Sequence, residues 1–171
     1  MTKRCKTAGL GLFVALCLPF VSLDLLASRD AMAAKDVRDE KAPDFVLKDL
    51  QGRKFRLSEN IGKPVLLIFG ATWCPFCRDE IPRLKDIYAN YGKRGLVMLN
   101  IDIQESKEKV SRFASSYKLP YRVLLDEEAD VAESYGVRGV PTMVLIDKKG
   151  MIVCRQCLSV EPLIEKMLKK K

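Results

Sequence analysis

An α/β fold with a central mixed sheet flanked by helices is predicted by three features of the sequence. Apolar runs bounded by turn residues alternate with helical stripes from residue 65 onward. An apolar-polar alternation around Gln51-Gly52 precedes them, and a second hairpin pattern closes the strand series near residue 150. The 171 residues, 48% of them hydrophobic, suffice for one domain with its own core and fall short of two comfortable ones.

Each element has its own local reason. Asp44 to Leu50 and Lys54 to Leu57 alternate on either side of Gln51-Gly52, which predicts a β-hairpin extension at the N-terminal side of the fold. Val65 to Phe69 is unbroken apolar sequence after Gly62-Lys63-Pro64, as a strand covered on both faces requires. Ile81, Leu84, Tyr88 and Tyr91 form a helical stripe within Cys74 to Tyr91, and Gly92 is placed to end it. Pro82 has no N–H for the Arg78 carbonyl and should bend this helix. Leu96 to Ile101 predicts the next strand; Val110, Phe113, Ala114 and Tyr117 a helix; Tyr121 to Leu125 a strand; and Ala129 to Tyr135 a short helix ending at Gly136. Met143 to Ile146 and Met151 to Cys154 flank the turn Asp147 to Gly150 and predict an antiparallel hairpin. Leu163, Ile164, Met167 and Leu168 give the inner face of a terminal helix. The tyrosines of the first helix, with Phe113 and Tyr117, read as core or half-buried faces.

Residues 1–33 read as an export signal or N-terminal membrane anchor. Lys3, Arg4 and Lys6 form a basic region ahead of an uncharged, Leu-, Val- and Phe-rich stretch from Thr7 to Leu23. Ala31-Met32-Ala33 offers small residues for cleavage before Ala34, whereas Leu25 and Leu26 prolong the apolar run as an anchor would. Leu16 before Cys17 is too large for a lipidation site. Residues 34–41 are charged and suit a tether, so the domain is expected over 42–171.

The net charge of +8, or +6 without residues 1–33, is moderate, and no basic stripe is interleaved with aromatics, so no nucleic-acid partner is expected. The chain has no histidine, which removes Ser-His-Asp and Cys-His catalysis together with histidine-ligated metal sites. Of six cysteines, Cys5 and Cys17 fall in the leader, and the other four form two CxxC pairs, Cys74/Cys77 and Cys154/Cys157.

A strand running straight into a helix that opens with cysteine places the sulfur of Cys74 among unpaired N–H groups at the positive end of the helix dipole, where thiolate is favoured. Cys74 is therefore expected to attack first and Cys77, one turn inward and shielded, to resolve the mixed disulfide. Pro75 fits the first turn without losing a needed hydrogen bond. Trp73 beside the sulfur offers a flat apolar surface for a docking partner, although it suits a core position as well. A structural disulfide is the plainer alternative for this pair, but a proline-containing CxxC at a strand-to-helix junction favours catalysis.

The segment Phe69-Gly-Ala-Thr-Trp-Cys-Pro-Phe-Cys-Arg-Asp-Glu-Ile-Pro82 resembles the active-site segment of the thioredoxin superfamily, in its TlpA/ResA-like branch, and the resemblance extends over roughly residues 42–171. Gly139-Val140-Pro141-Thr142 resembles that family's cis-proline loop. The resemblance implies a thioredoxin-like fold, Cys74 and Cys77 as attacking and resolving thiols, and Pro141 as the cis-proline, with Val140, Trp73, Pro75 and Phe76 contacting substrate. Thioredoxins proper carry a buried acid in the strand before the motif, a place taken here by Ile68; the branch implies instead that Glu80 tunes the cysteines. Glu80 also reads simply as a first-turn helix acid.

The function expected on these grounds is that of an extracytoplasmic thiol:disulfide oxidoreductase, working as a reductant at the periplasm or outer face of a bacterial cytoplasmic membrane. No cofactor is implied beyond a redox-active Cys74–Cys77 disulfide. The resemblance implies protein clients such as apocytochrome c and recharging by a transmembrane thiol reductant, with membrane contact through the leader if it stays uncleaved. The rivals are a cysteine-based metal carrier or zinc-stabilised module and a peroxiredoxin-like peroxide reductase. For Cys154 and Cys157 the sequence leaves four readings, in this order: buried apolar side chains, an auxiliary redox pair, a structural disulfide, and zinc ligands. Because positions three apart on a strand face opposite sides, a bridge between them needs a bend or bulge.

Overall fold

A computed structural model describes residues 40–157 and 159–169; the expected leader, residues 1–33, and most of the expected tether lie outside the described residues. The strands are β1 (Val46–Asp49), β2 (Lys54–Arg56), β3 (Val65–Gly70), β4 (Val97–Ile103), β5 (Arg122–Asp126), β6 (Thr142–Ile146) and β7 (Ile152–Arg155). They form one sheet in the order β2-β1-β5-β4-β3-β6-β7. β3, β4 and β5 run parallel, β6 and β7 add an antiparallel hairpin beside β3, and the β1-β2 hairpin joins antiparallel to β5. This is the mixed sheet the sequence predicts. Glu40 and Lys41, which sequence placed in the tether, are paired. Lys41 bridges Met151, Ile152 N–H donates to the Glu40 carbonyl at 2.8 Å, and Arg155 forks onto the Glu40 carboxylate at 2.7 and 3.0 Å.

Among the described residues, the faces are covered by the α-helices α1 (Pro75–Asp79), α2 (Ile81–Tyr91), α3 (Lys107–Ser116), α4 (Asp130–Ser134) and α5 (Glu161–Lys169). The single bent helix expected over 74–91 is two helices. Pro82 cannot continue the hydrogen-bond ladder, so Glu80 ends one helix and opens the next. Its N–H reaches the Phe76 carbonyl at 3.2 Å, and its own carbonyl accepts Leu84 N–H at 3.0 Å.

Alternation along β3 explains why that strand is apolar throughout. Leu67 and Phe69 pack with Ile101, Leu124 and Val144 against Phe45, Phe55 and Tyr135, while Leu66 and Ile68 face Leu84 and Ile87 of α2 and Ile164 of α5. Tyr135 ties α4 to the segment before β1. Its hydroxyl donates to the Pro43 carbonyl at 2.8 Å, and its ring sits edge-on to Phe45. Tyr135→Phe should cost about 1 kcal/mol in urea unfolding, because the Pro43 carbonyl loses its donor while the ring packing stays. An unchanged midpoint would mean that the bond contributes nothing net. Tyr117, expected in the core or half-buried, is exposed and stacks on Phe113, ring centroids 4.6 Å apart.

The sheet's register sets up the site. Gly70, the last residue of β3, is paired with Asp102 on β4, and Phe69 lies opposite Thr142, the first residue of β6. Three chain segments therefore converge beneath the start of α1: the end of β3, the end of β4 and the loop that enters β6.

Candidate active site

Cys74 is the N-cap of α1, in extended conformation, and its Sγ accepts the Cys77 N–H at 3.2 Å. Its thiol donates to the Val140 carbonyl at 3.5 Å. The Val140–Pro141 peptide bond is cis, so the two motifs that sequence separated by more than sixty residues meet at one sulfur. Both cysteines are free thiols.

The shielding expected of Cys77 is not what residue exposure gives, since Cys74 is 2% exposed and Cys77 is half-buried. The sulfur of Cys77 nevertheless points inward: a Cβ on Gly70 would lie 3.7 Å from it. Burial, the hydrogen bond with Cys74 and the charges of Cys74 and Asp102 push the Cys77 thiol up to about 12, only partly opposed by a backbone contact from Ala71. Cys77 is thus held protonated at neutral pH. Trp73 and Phe76, on either side of the Cys74-Pro75 step, are 65% and 71% exposed. This exposure rules out the core reading of Trp73.

A groove of about 560 Å³ runs along the cis-proline loop, lined by Glu80, Arg83, Arg138, Val140, Pro141 and Cys157 among others. A second groove, of about 640 Å³, is lined by Ala71, Trp73, Ile103 and Val140 among others. Glu80 reaches the first, but its carboxylate accepts from Arg83 at 3.2 Å, and Arg83 also forks onto Glu161 at 2.9 and 3.1 Å. No hydrogen bond joins Glu80 to either sulfur among the described residues.

Cys154 and Cys157 are joined as a disulfide, with Cα atoms 5.9 Å apart, which replaces the first reading of them as buried free thiols. The bend the bridge needs comes from Gln156, at φ 52° in the left-handed region just after β7 ends. The bridge packs on the α2/α5 side of the core, and Cys157 reaches the groove.

Two acids at the site were not singled out from sequence. Asp102, 2% exposed, and Glu105, 7% exposed, lie at and just beyond the end of β4. The Glu105 carboxylate accepts from the Thr72 N–H at 2.5 Å, from the Thr72 hydroxyl at 2.7 Å, and from Lys109. It therefore anchors the backbone two residues before Cys74. Burial first, and the adjoining Glu105 next, push the Asp102 carboxyl up to about 8. Glu105 is drawn down to about 2, because its bonds to Asp102, Lys109 and Thr72 outweigh its own burial. One signal was present in the sequence. Asn100 and Asp102 alternate with the buried Leu99 and Ile101, so two polar groups sit on the strand face that also carries Met98.

Residues 39–155 match the model of the AhpC/TSA family. Over 111 residues the chain is 41% identical to a thiol-disulfide oxidoreductase ResA from Geobacillus thermodenitrificans, an overlap of 65% of this chain and 64% of that one. A thiol-disulfide oxidoreductase ResA from Bacillus thuringiensis subsp. konkukian is 36% identical over 114 residues, 67% of this chain and 66% of its own. The chain thus spans just under two thirds of the length of these relatives. Among solved structures, the thioredoxin domain of a thiol-disulfide oxidoreductase from Bacteroides vulgatus is 27% identical and aligns with a TM-score of 0.70, covering 76% of this chain and 96% of that one. The fold is thioredoxin-like.

Proposed function

The chain belongs to the AhpC/TSA family, and from that membership and the geometry of its cysteine pair we propose that it is a thiol:disulfide oxidoreductase whose working couple is Cys74 and Cys77. The observation that carries this reading is the asymmetry of the pair. Cys74 Sγ caps a helix N-terminus beside the Val140 carbonyl, while the Cys77 thiol is held protonated within the fold. Cys74 attacks a client disulfide, its sulfur forming one S–S bond as the client's breaks. Cys77 then attacks Cys74 and releases the client as a dithiol, leaving Cys74–Cys77 oxidised. Trp73 and Phe76 seat the client, whose extended backbone lies in the groove along Pro141.

The setting we propose is extracytoplasmic, supported by the composition of residues 1–33. The client class is protein disulfides, such as the haem-site cysteines of an apocytochrome c, with a transmembrane thiol reductant resupplying electrons. The relatives' thiol-disulfide oxidoreductase activity supports a disulfide client; the apocytochrome c client and the transmembrane reductant rest on the resemblance alone. A peroxide-reducing reading is weakened because the Thr72 hydroxyl is committed to Glu105 and Cys74 has a partner cysteine three residues on. Peroxide turnover by the purified chain would reopen that reading. A four-thiolate zinc site is disfavoured because Cys154 and Cys157 are bonded to each other.

The test is redox equilibration with dithiothreitol, read by the emission of Trp73, the chain's one tryptophan, and by thiol counting in mass spectra. The expected result is a single two-electron couple at Cys74–Cys77, unchanged in Cys154→Ser/Cys157→Ser. A shifted couple in the double variant would bring the second pair into the mechanism. No reversible Cys74–Cys77 disulfide would sink the proposal.

A further inference from the structure

Beneath α1 lies a second, more enclosed cavity of about 20 Å³, room for about one water molecule. Gly70, Cys77, Glu80, Asn100, Asp102 and Pro141 are among the residues that line it. Asp102 is almost fully buried there, and its Oδ1 has no hydrogen-bond partner among the described residues. Leaving a carboxyl oxygen unsatisfied in the interior costs free energy that packing does not return, so such an atom calls for an explanation.

We propose that Asp102 is the proton store of Cys77, exchanging a proton with its sulfur through a water in the cavity they share. The proposal rests on Cys74–Cys77 being the working couple. When a thiolate opens the Cys74–Cys77 disulfide, it bonds to Cys74 Sγ, the S–S bond breaks, and the electron pair stays on Cys77 Sγ. The Asp102 carboxylic acid then supplies the proton that makes Cys77 a thiol. When the disulfide closes, Cys77 passes that proton back to the Asp102 carboxylate as its sulfur attacks Cys74 and expels the client thiolate.

The surroundings suit the role. Glu105 and Cys77 face Asp102, as do Glu80 at the junction of α1 and α2 and Tyr121 before β5, and Lys109 of α3 completes the set through Glu105. Burial first, and then the Glu105 carboxylate fixed by Thr72 and Lys109, keep the proton on Asp102 up to a pH of about 8. The acid form is therefore the resident one when the disulfide is opened near neutrality. Asp102 moves protons and does not meet the client.

Stopped-flow emission of Trp73 tests this on the oxidised full chain mixed with dithiothreitol across pH, each rate divided by the dithiothreitol thiolate concentration. Wild type should give a flat corrected rate that falls above a break near pH 8. Asp102→Asn should be slower by at least about tenfold below the break and should lack it. Glu105→Gln should move the break to lower pH, because the neighbouring charge that raises Asp102 is gone. A wild-type profile without a break, or a break that persists in Asp102→Asn, would overturn the proposal. Absence of any Trp73 change on reduction would instead overturn the couple on which it rests.

Discussion

Replacing Cys74 with serine is expected to lower the reduction of a disulfide-bonded model client by roughly 10³-fold or more. Serine keeps the side-chain volume, and its oxygen can still accept the Cys77 N–H that caps α1, so the helix and the Val140 contact need not rearrange. The loss is that of the polarisable sulfur that shares an S–S bond with the client. Cys77→Ser predicts a different failure. The first bond still forms, nothing resolves it, and the client stays attached at Cys74, visible as a mass adduct removed by dithiothreitol. The two variants discriminate because residue exposure alone ranks the cysteines the other way. If Cys74→Ser kept most of the activity and Cys77→Ser gave no adduct, the two roles would be exchanged.

Much of this arrangement was legible in the sequence because its causes are local. β3 is apolar at every position since both its faces are covered, and no other element among the described residues carries so long a run with that flanking. The Cys74-Pro75-Phe76-Cys77 spacing places a sulfur at a helix start whatever surrounds it. The helix break was half legible: Pro82 predicts a disturbance, but the assignment of Glu80 to both helices depends on where the ladder is abandoned.

Other parts depend on contacts that no local pattern carries. The Cys154–Cys157 bridge needs one residue in the left-handed region, and Gln156 gives no such signal, as a glycine or asparagine would. Asp102 was hidden by a boundary. With the strand read as ending at Ile101, the acid falls in a loop, whereas β4 runs on to Ile103 and puts Asp102 opposite Gly70, under the cysteines. Resemblance implies the tuning acid at Glu80, whose carboxylate is engaged by Arg83, while Ile68 stands in β3 where thioredoxins proper carry one. The buried acid arrives from the neighbouring strand.

Asp102→Asn is expected to stabilise the fold by about 2 kcal/mol at pH 7, and the gain should shrink towards zero as the pH approaches 4. In the unfolded chain an aspartate titrates near 3.8, whereas in the fold Asp102 holds its proton up to about 8. Between these values the unfolded state has released a proton that the native state keeps, so each step up in pH favours unfolding. The cost is absent below the unfolded value and complete above the folded one. Glu105 works in the opposite sense. Its folded value is depressed to about 2 from 4.5, so its contribution is present above the unfolded value and lost as pH falls through the folded one. An asparagine at 102 removes the first effect and can still donate to Glu105, which keeps its bonds to Thr72 and Lys109, so most of the compensating effect survives. Urea unfolding of both chains at several pH values measures the difference. A gain independent of pH would place its origin in packing and not in the buried proton, and a loss at pH 7 would mean that the carboxyl is already satisfied. A variant that is more stable and yet slower to open its disulfide would show that the fold gives up stability to keep a proton beside Cys77.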